Sequence, residues 1–261
     1  MLKTGVTVLG ALFSALGTTG AFIALGADWR VLLIIVAACA GLALISYIVA
    51  AVSAITTFGE FMRGWLIGLN GALNGVVAFA IVASFGGIAA GAVVGGALGV
   101  VNLLSVFPAV SQSGFYQGLL GWFNWIMPMS WIIVALGLFF LVISFLLHLV
   151  TAGKVAYLRI EDAGVDWATG TFFIKGGLIA NLNYLDTAFN MGNFSFVDYK
   201  STSWHKEHEA GHTLNLAAFG WLFHLVGALD ENVLRGANAY AERLAESNAT
   251  GKSGSNIPMW S

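Results

Sequence analysis

Apolar positions run almost unbroken through the first 150 residues, and the few polar interruptions mark out the elements. Residues 5–26 are long enough to cross about 30 Å of hydrocarbon as a helix rising 1.5 Å per residue. Lys3 ahead of this run suits a cleavable leader. The run is longer than a leader needs and further apolar runs follow directly, so it is read as a first span. Asp28, Trp29 and Arg30 make a polar turn with an interfacial aromatic. Residues 31–58 are a second span and residues 59–63 a second turn. Residues 64–107 carry no formal charge and fit two spans broken near Phe85, Gly86 and Gly87. Residues 108–127 mix Gln112, Gln117 and Asn124 with Phe115, Tyr116, Trp122, Phe123 and Trp125, the pattern of an interfacial segment. Residues 128–150 are the last clear run, giving five spans, with four as the alternative.

Gly87, Gly91, Gly95 and Gly99 recur every four residues and make a smooth helix face. Such a stripe serves either a homo- or hetero-oligomer interface or packing inside one chain. No span carries a recurring charged stripe, which argues against a pore.

The pattern changes after Thr151. Residues 155–160 and 169–174 have strand character, and residues 193–199 alternate at period two, so a small antiparallel sheet with Gly and Asn turns is expected. Asp162 and Asp166 fall in a turn-rich stretch and read as solvated turn residues. A helix is expected to start at Ser201, Thr202 or Ser203. It continues into the apolar stretch 213–229, which would dip towards the bilayer. Residues 238–247 read as a second helix, and 251–261 as a flexible tail onto which Met259 and Trp260 offer an anchor.

Composition sharpens this division. Hydrophobic residues make up 58 % of the 261-residue chain and charged residues 9 %, against about a quarter charged in soluble domains. Five of the charged residues precede Thr151 and the other nineteen follow it. A membrane-embedded part, 1–150, is therefore expected to carry a surface domain, 151–250. A net charge of −2 leaves no basic field for nucleic acid. A single cysteine, Cys39, excludes a disulfide framework and a multi-cysteine zinc site.

The chemistry lies in one short stretch, where His208, Glu209 and His212 form a His-Glu-x-x-His pattern. On a helix the two histidines share a face one turn apart and can bind one Zn²⁺, while Glu209 stands beside a bound water as general base. The plain alternative is a histidine pair solvating a helix. A catalytic zinc wants a third protein ligand. Ala218 occupies the position where a metzincin carries its third histidine, which removes that subclass. Glu242, Glu246, Glu231, Asp230 and His224 remain. Glu242 is favoured, with Glu246, one turn on, as orienting partner or alternative ligand. The alternative is that Glu242 and Glu246 repel one another on a solvated helix face. His224, twelve residues beyond His212, does not return cleanly to the same helical face. It reads as a buried histidine or a supporting group, and His205 as a flanking one. Tyr240 is a candidate oxyanion donor.

The residues 208–220, His-Glu-Ala-Gly-His-Thr-Leu-Asn-Leu-Ala-Ala-Phe-Gly, resemble a family of bacterial multi-span membrane proteins with a similar motif. Phe223-His224, Asp230-Glu231-Asn232, Tyr240-Ala241-Glu242 and the preceding Gly192-Asn193-Phe194 also match it, as does Met127-Pro128-Met129-Ser130-Trp131. More loosely, the chain is similar to gluzincin-type zinc metallopeptidases. The resemblance covers roughly residues 110–250. It implies an α-helical protein of a bacterial inner membrane with a C-terminal α+β zincin-like domain. It further implies zinc on His208, His212 and Glu242, Glu209 as base, and a peptide or membrane-protein substrate. A non-catalytic assembly protein with a structural metal is the competing expectation. The chain lacks the Asp-bearing span motif of site-2-type intramembrane proteases.

Overall fold

The first two helices, α1 (Leu2–Ala24) and α2 (Trp29–Ser53), follow the apolar runs. Asp28 caps α2, its side chain accepting from the Arg30 amide at 2.8 Å. In the computed structural model, residues 2–26, 28–182, 188–198, 203–249 and 257–260 are described, the side chains of 203–205 excepted. The next helix, α3 (Thr57–Leu103), starts earlier than its charges suggest. Thr56 caps it by accepting from the Gly59 amide at 3.1 Å. Gly59 has no Cβ to strike the Ser53 carbonyl, so the chain turns at 54–56 and not at 59–63. Glu60 and Arg63 consequently sit inside the first turns of α3, ion-paired, with Thr7 Oγ1 donating to Glu60 at 3.3 Å.

Gly87 breaks α3 with φ 82° and ψ 167°, a conformation essentially reserved for glycine. The break is a reversal. Residues 75 and 99 would stand about 36 Å apart along a straight helix, yet a Cβ built on Gly75 would lie 3.8 Å from Gly99 Cα. Gly91 and Gly95 press against Phe79 and Gly75 in the same way. Three glycines of the four-residue stripe thus face the chain's own preceding limb, the intrachain alternative, and Gly87 makes the bend. Gly10, Gly64 and Gly68 bring α1 and α3 to backbone contact.

After α4 (Pro108–Ser111) and α5 (Gly114–Phe123), the apolar α6 (Trp131–Val150) leads to a four-stranded sheet. Its strands are β1 (Ile160–Asp166), β2 (Thr171–Gly176), β3 (Ala188–Met191) and β4 (Phe194–Val197), in the order β1-β2-β4-β3. The expectation of an antiparallel sheet is corrected: β2 and β4 run parallel, Phe172 opposite Phe194. Positive φ at Gly176 and Gly177 turns the chain into the short α7 (Gly177–Leu182), and the return places β4 beside β2 with β3 outside it. Residues 156–158 form a 3₁₀ turn, so the first strand begins only at Ile160. Asp162 and Asp166, expected in a turn, lie in β1. Asp166, its last residue, ties the following turn by accepting from Thr169 Oγ1 at 2.6 Å.

The helix α8 (Ser203–Leu229) is likewise interrupted, at Gly220 with φ 83° and ψ 175°. His212 and His224 would be about 18 Å apart on a straight helix, and their ring centroids are 6.3 Å apart. The apolar continuation of the motif helix therefore doubles back on it. Asn70 Nδ2 and Asn102 Nδ2 both donate to the Ala217 carbonyl, at 3.0 and 2.5 Å, next to the reversal. A π-helical turn (Asp230–Arg235) leads on to α9 (Tyr240–Glu246).

Among the described residues, five stretches are long and apolar enough to cross a membrane: Leu2–Ala24, Trp29–Ser53, Thr57–Val106, Pro128–Val150 and Lys206–Asn238. The two spans expected in 64–107 are the limbs of one hairpin that reverses at Gly87, and the motif helix with its return limb joins the set. Residues from both sides of Thr151 pack together: Tyr47, Leu66, Leu214, Phe223, Leu244 and Trp260 share one core. The interfacial segment is equally tied in, Asn124 Nδ2 donating to the Thr213 carbonyl at 3.0 Å. Within the expected flexible tail, 257–260 are docked. Trp260 Nε1 donates to Asn215 Oδ1 at 2.9 Å and the Met259 amide to Ser247 Oγ at 3.1 Å.

Gly220→Ala would force a Cβ into the Asn70 side-chain oxygen at a backbone conformation that costs about 1–3 kcal/mol outside glycine. The variant is expected to unfold more easily by at least that amount, measured by thermal unfolding of the detergent-purified protein, while Gly96→Ala, with open space around it, leaves stability near wild type.

Candidate metal centre

Three elements build the site. The first limb of α8 carries His208, Glu209 and His212, and α9 carries Glu242 and Glu246. The return limb of α8 and strand β3 close the sides. The apolar run after the motif buries this limb, and Leu214, Leu216, Ala217 and Ala218 are fully enclosed. Gly211 sets the distance between α8 and α9, since any Cβ there would collide with the Ala245 carbonyl. This close approach is what carries the α9 carboxylates to the histidines.

His208 Nε2 lies 3.0 Å from Glu242 Oε2 and 3.1 Å from His212 Nε2, and His212 Nε2 lies 3.1 Å from Glu242 Oε1. His208, His212 and Glu242 each offer one donor atom, all within 4.8 Å of one another, and this group could hold a metal ion. Ligands around a tetrahedral ion at about 2.05 Å would be spaced by roughly 3.3 Å, so the two nitrogens and the carboxylate oxygens fit one face of such a coordination sphere. His208 Nδ1 points the other way and meets Glu246 Oε2 at 3.0 Å. A carboxylate at the far nitrogen fixes the tautomer that presents Nε2 to an ion. Burial, the largest influence, pushes the Glu242 carboxyl up. The charge of His212 and the hydrogen bonds from both imidazoles outweigh it and hold the group well below the usual carboxylate range. Glu242 is therefore an anionic donor. Glu242 is 7 % exposed and the Glu246 side chain 19 %, so neither stands on a solvated face.

Glu209 is 4 % exposed and lines the same cavity, of about 280 Å³, as His208, His212 and Glu242. Its backbone carbonyl accepts from Asn190 Nδ2 at 3.0 Å. Asn190 also donates to Thr213 Oγ1 at 3.0 Å, and Thr213 Oγ1 donates to the Gly192 carbonyl at 2.9 Å. The strand β3 is thereby fastened to the motif helix.

The remaining candidates separate cleanly. His224 does reach the cavity, contrary to the straight-helix argument, because α8 reverses at Gly220. Its Nε2 lies 3.0 Å from the Asn190 carbonyl. A carbonyl only accepts, so this nitrogen carries the proton and His224 is not presented as a ligand through it. Tyr240 packs between Tyr47 and Phe223 in the core, off the cavity lining, which leaves its hydroxyl away from the oxyanion role. Burial pushes that hydroxyl's pKa up to about 12. Asp230 accepts from Tyr47 OH and Arg235, clear of the metal group. Glu231 lines the cavity on the far limb. The side chain of His205 lies outside the described residues, as do Ser201 and Thr202. The residues 193–199, expected to form a strand, contain β4, which is internal to the sheet. The edge strand at the cavity is β3. Gly211, Asn190, Gly220 and Tyr47 were not singled out from the sequence. Only Gly211 carried a signal, as the small residue within the motif.

Comparison with protein-family models, curated proteins and solved structures gives no match.

Glu246→Ala removes the partner of His208 Nδ1 but none of the three grouped donors. Metal affinity is expected to drop about 10- to 100-fold, read by competition with a chromophoric chelator, while His208→Ala is expected to abolish binding in the same assay.

Proposed function

We propose that the protein is an integral membrane, zinc-dependent metallopeptidase, with zinc held by His208, His212 and Glu242. The observation that carries this reading is the convergence of three donors from two helices beside a buried glutamate in one cavity. Two imidazoles and a carboxylate suit zinc among the common divalent ions. Three donors leave a coordination position open, which suits catalysis more than a closed structural site. Among the described residues no fourth donor joins the group.

Zinc held by His208, His212 and Glu242 would supply Lewis-acid polarisation of a carbonyl and would acidify a water. Glu209 takes the proton of the attacking water and returns it to the departing amine. Glu246 keeps the His208 ring in register through Nδ1. Among the described residues strand β3 pairs with β4 alone and borders the cavity with Ala188–Met191, so an extended peptide could pair along its outer edge. That edge supports a peptide over other amide or ester substrates. The apolar helices support residence in the bilayer.

The test is metal content and cleavage measured together on detergent-purified protein. Wild type is expected to hold about one zinc per chain and to cleave a peptide library, and chelation to stop cleavage. Glu209→Gln is expected to keep the zinc and lose cleavage by about 10²- to 10⁴-fold. Failure of zinc-supplemented wild type to bind the ion would overturn the reading. Zinc bound without any Glu209-dependent cleavage would move it to the assembly role.

A further inference from the structure

The helix that supplies the third metal donor has no cap of its own. Seven residues, Tyr240–Glu246, make two turns, too short to persist alone in water. The residue at its N-cap, Ala239, has no side chain with which to bond the first amides. Those amides are nonetheless satisfied, by groups distant in sequence. The Tyr240 amide donates to Asp230 Oδ2 at 3.2 Å, and the Ala241 amide donates to Tyr47 OH at 3.3 Å. The two acceptors are joined, because Tyr47 OH donates to Asp230 Oδ2 at 2.7 Å. Arg235 holds the same carboxylate, its Nε donating to Oδ1 at 2.6 Å and its Nη2 pairing with Oδ2. Asp230 is 2 % exposed and Tyr47 1 %, so neither bond is shared with bulk water. The Tyr47 ring is also wedged edge-on against Phe223 and Tyr240.

We infer that Tyr47, on the second apolar helix, is a positioning residue for the metal centre: with Asp230 it caps α9 and so fixes where Glu242 and Glu246 stand. Glu242 follows Ala241 directly, and Glu246 lies one turn further. A shift of the first turn of α9 would move the Glu242 carboxylate away from both histidines. A bound metal tolerates little such movement, since ligand distances are confined to about ±0.2 Å. The inference rests on the reading of His208, His212 and Glu242 as metal ligands.

Tyr47→Phe keeps the ring and its aromatic contacts and removes only the hydroxyl. Tyr116→Phe is the matched control. Tyr116 is also buried, its hydroxyl donates to the Val101 carbonyl at 2.5 Å, and it lies outside the site. Zinc affinity of the full chain in detergent would be measured by chelator competition. Backbone hydrogen exchange across 240–246 would be followed in the metal-free protein. Tyr47→Phe is expected to weaken zinc binding about 10-fold or more, by analogy with groups behind metal ligands, and to speed exchange in α9. Tyr116→Phe is expected to change neither, even where it lowers the unfolding temperature. Should Tyr47→Phe fail to fold, Asp230→Asn carries the same comparison. Unchanged zinc affinity in either variant, against a zinc-binding wild type, overturns this inference alone. A wild type that binds no zinc overturns the reading of the site and this inference with it.

Discussion

A helix that stops inside a protein core leaves its last carbonyls without partners, and everything at this site depends on how that problem is solved at Gly220. The motif limb of α8 ends among buried residues, where an unpaired carbonyl is expensive. Asn70 and Asn102, one from each limb of α3, supply the missing donors to Ala217. These two limbs are brought together by their own reversal at Gly87. The second hairpin is therefore seated on the first, with glycine at each bend and amide side chains at the junction. Only because α8 turns back there do His224, Ala228, Glu231 and Asn232 roof the cavity that His208 and His212 open into.

The second requirement is closeness. Side chains normally hold helices 8–10 Å apart, and short carboxylate and imidazole side chains converge on one point only if their backbones nearly touch. Gly211 against Ala245 and Gly227 against Ala241 remove the obstructing Cβ atoms on both limbs of α8. The seven-residue α9 is thus gripped between the two limbs. Its own weak helical tendency matters less than the surfaces around it. The same device at Gly64 and Gly68 joins α1 to α3, so small residues do in this chain what apolar side chains do in a water-soluble core.

Much of this was legible. The unbroken apolar runs gave α1, α2 and α6, and Phe85-Gly86-Gly87 gave the bend in α3. The i,i+4 spacing of His208 with His212 and of Glu242 with Glu246 identified the donors that meet. What escaped was set by long-range contacts. The parallel pairing of β2 with β4 depends on a return path that no local pattern encodes. Residues 59–63 read as a turn because Glu60 and Arg63 are charged, yet their mutual pairing makes them acceptable within a helix. His224 was misplaced because a helix period was extrapolated through Gly220. A glycine in an apolar helical run is ambiguous from sequence alone: Gly95 and Gly211 allow contact, whereas Gly87 and Gly220 reverse the chain.

The economy of charge gives the site its significance. Only 9 % of the chain is charged, yet Glu209, Glu231, Glu242, His208, His212 and His224 line one cavity, and Glu246 stands behind it. Burying ionisable groups costs several kcal/mol each unless they are paired, and an apolar cluster of similar volume would stabilise the fold at least as well. Structure alone does not call for such a cluster here. The pairing that makes it tolerable is also specific: His208 and His212 face Glu242 and Glu246, these two carboxylates come from a separate helix, and that helix is capped from a third. An arrangement so dependent on distant elements is a poor way to fill a core and a good way to hold three donor atoms at fixed distances. That contrast favours a metal centre over an accidental meeting of polar residues.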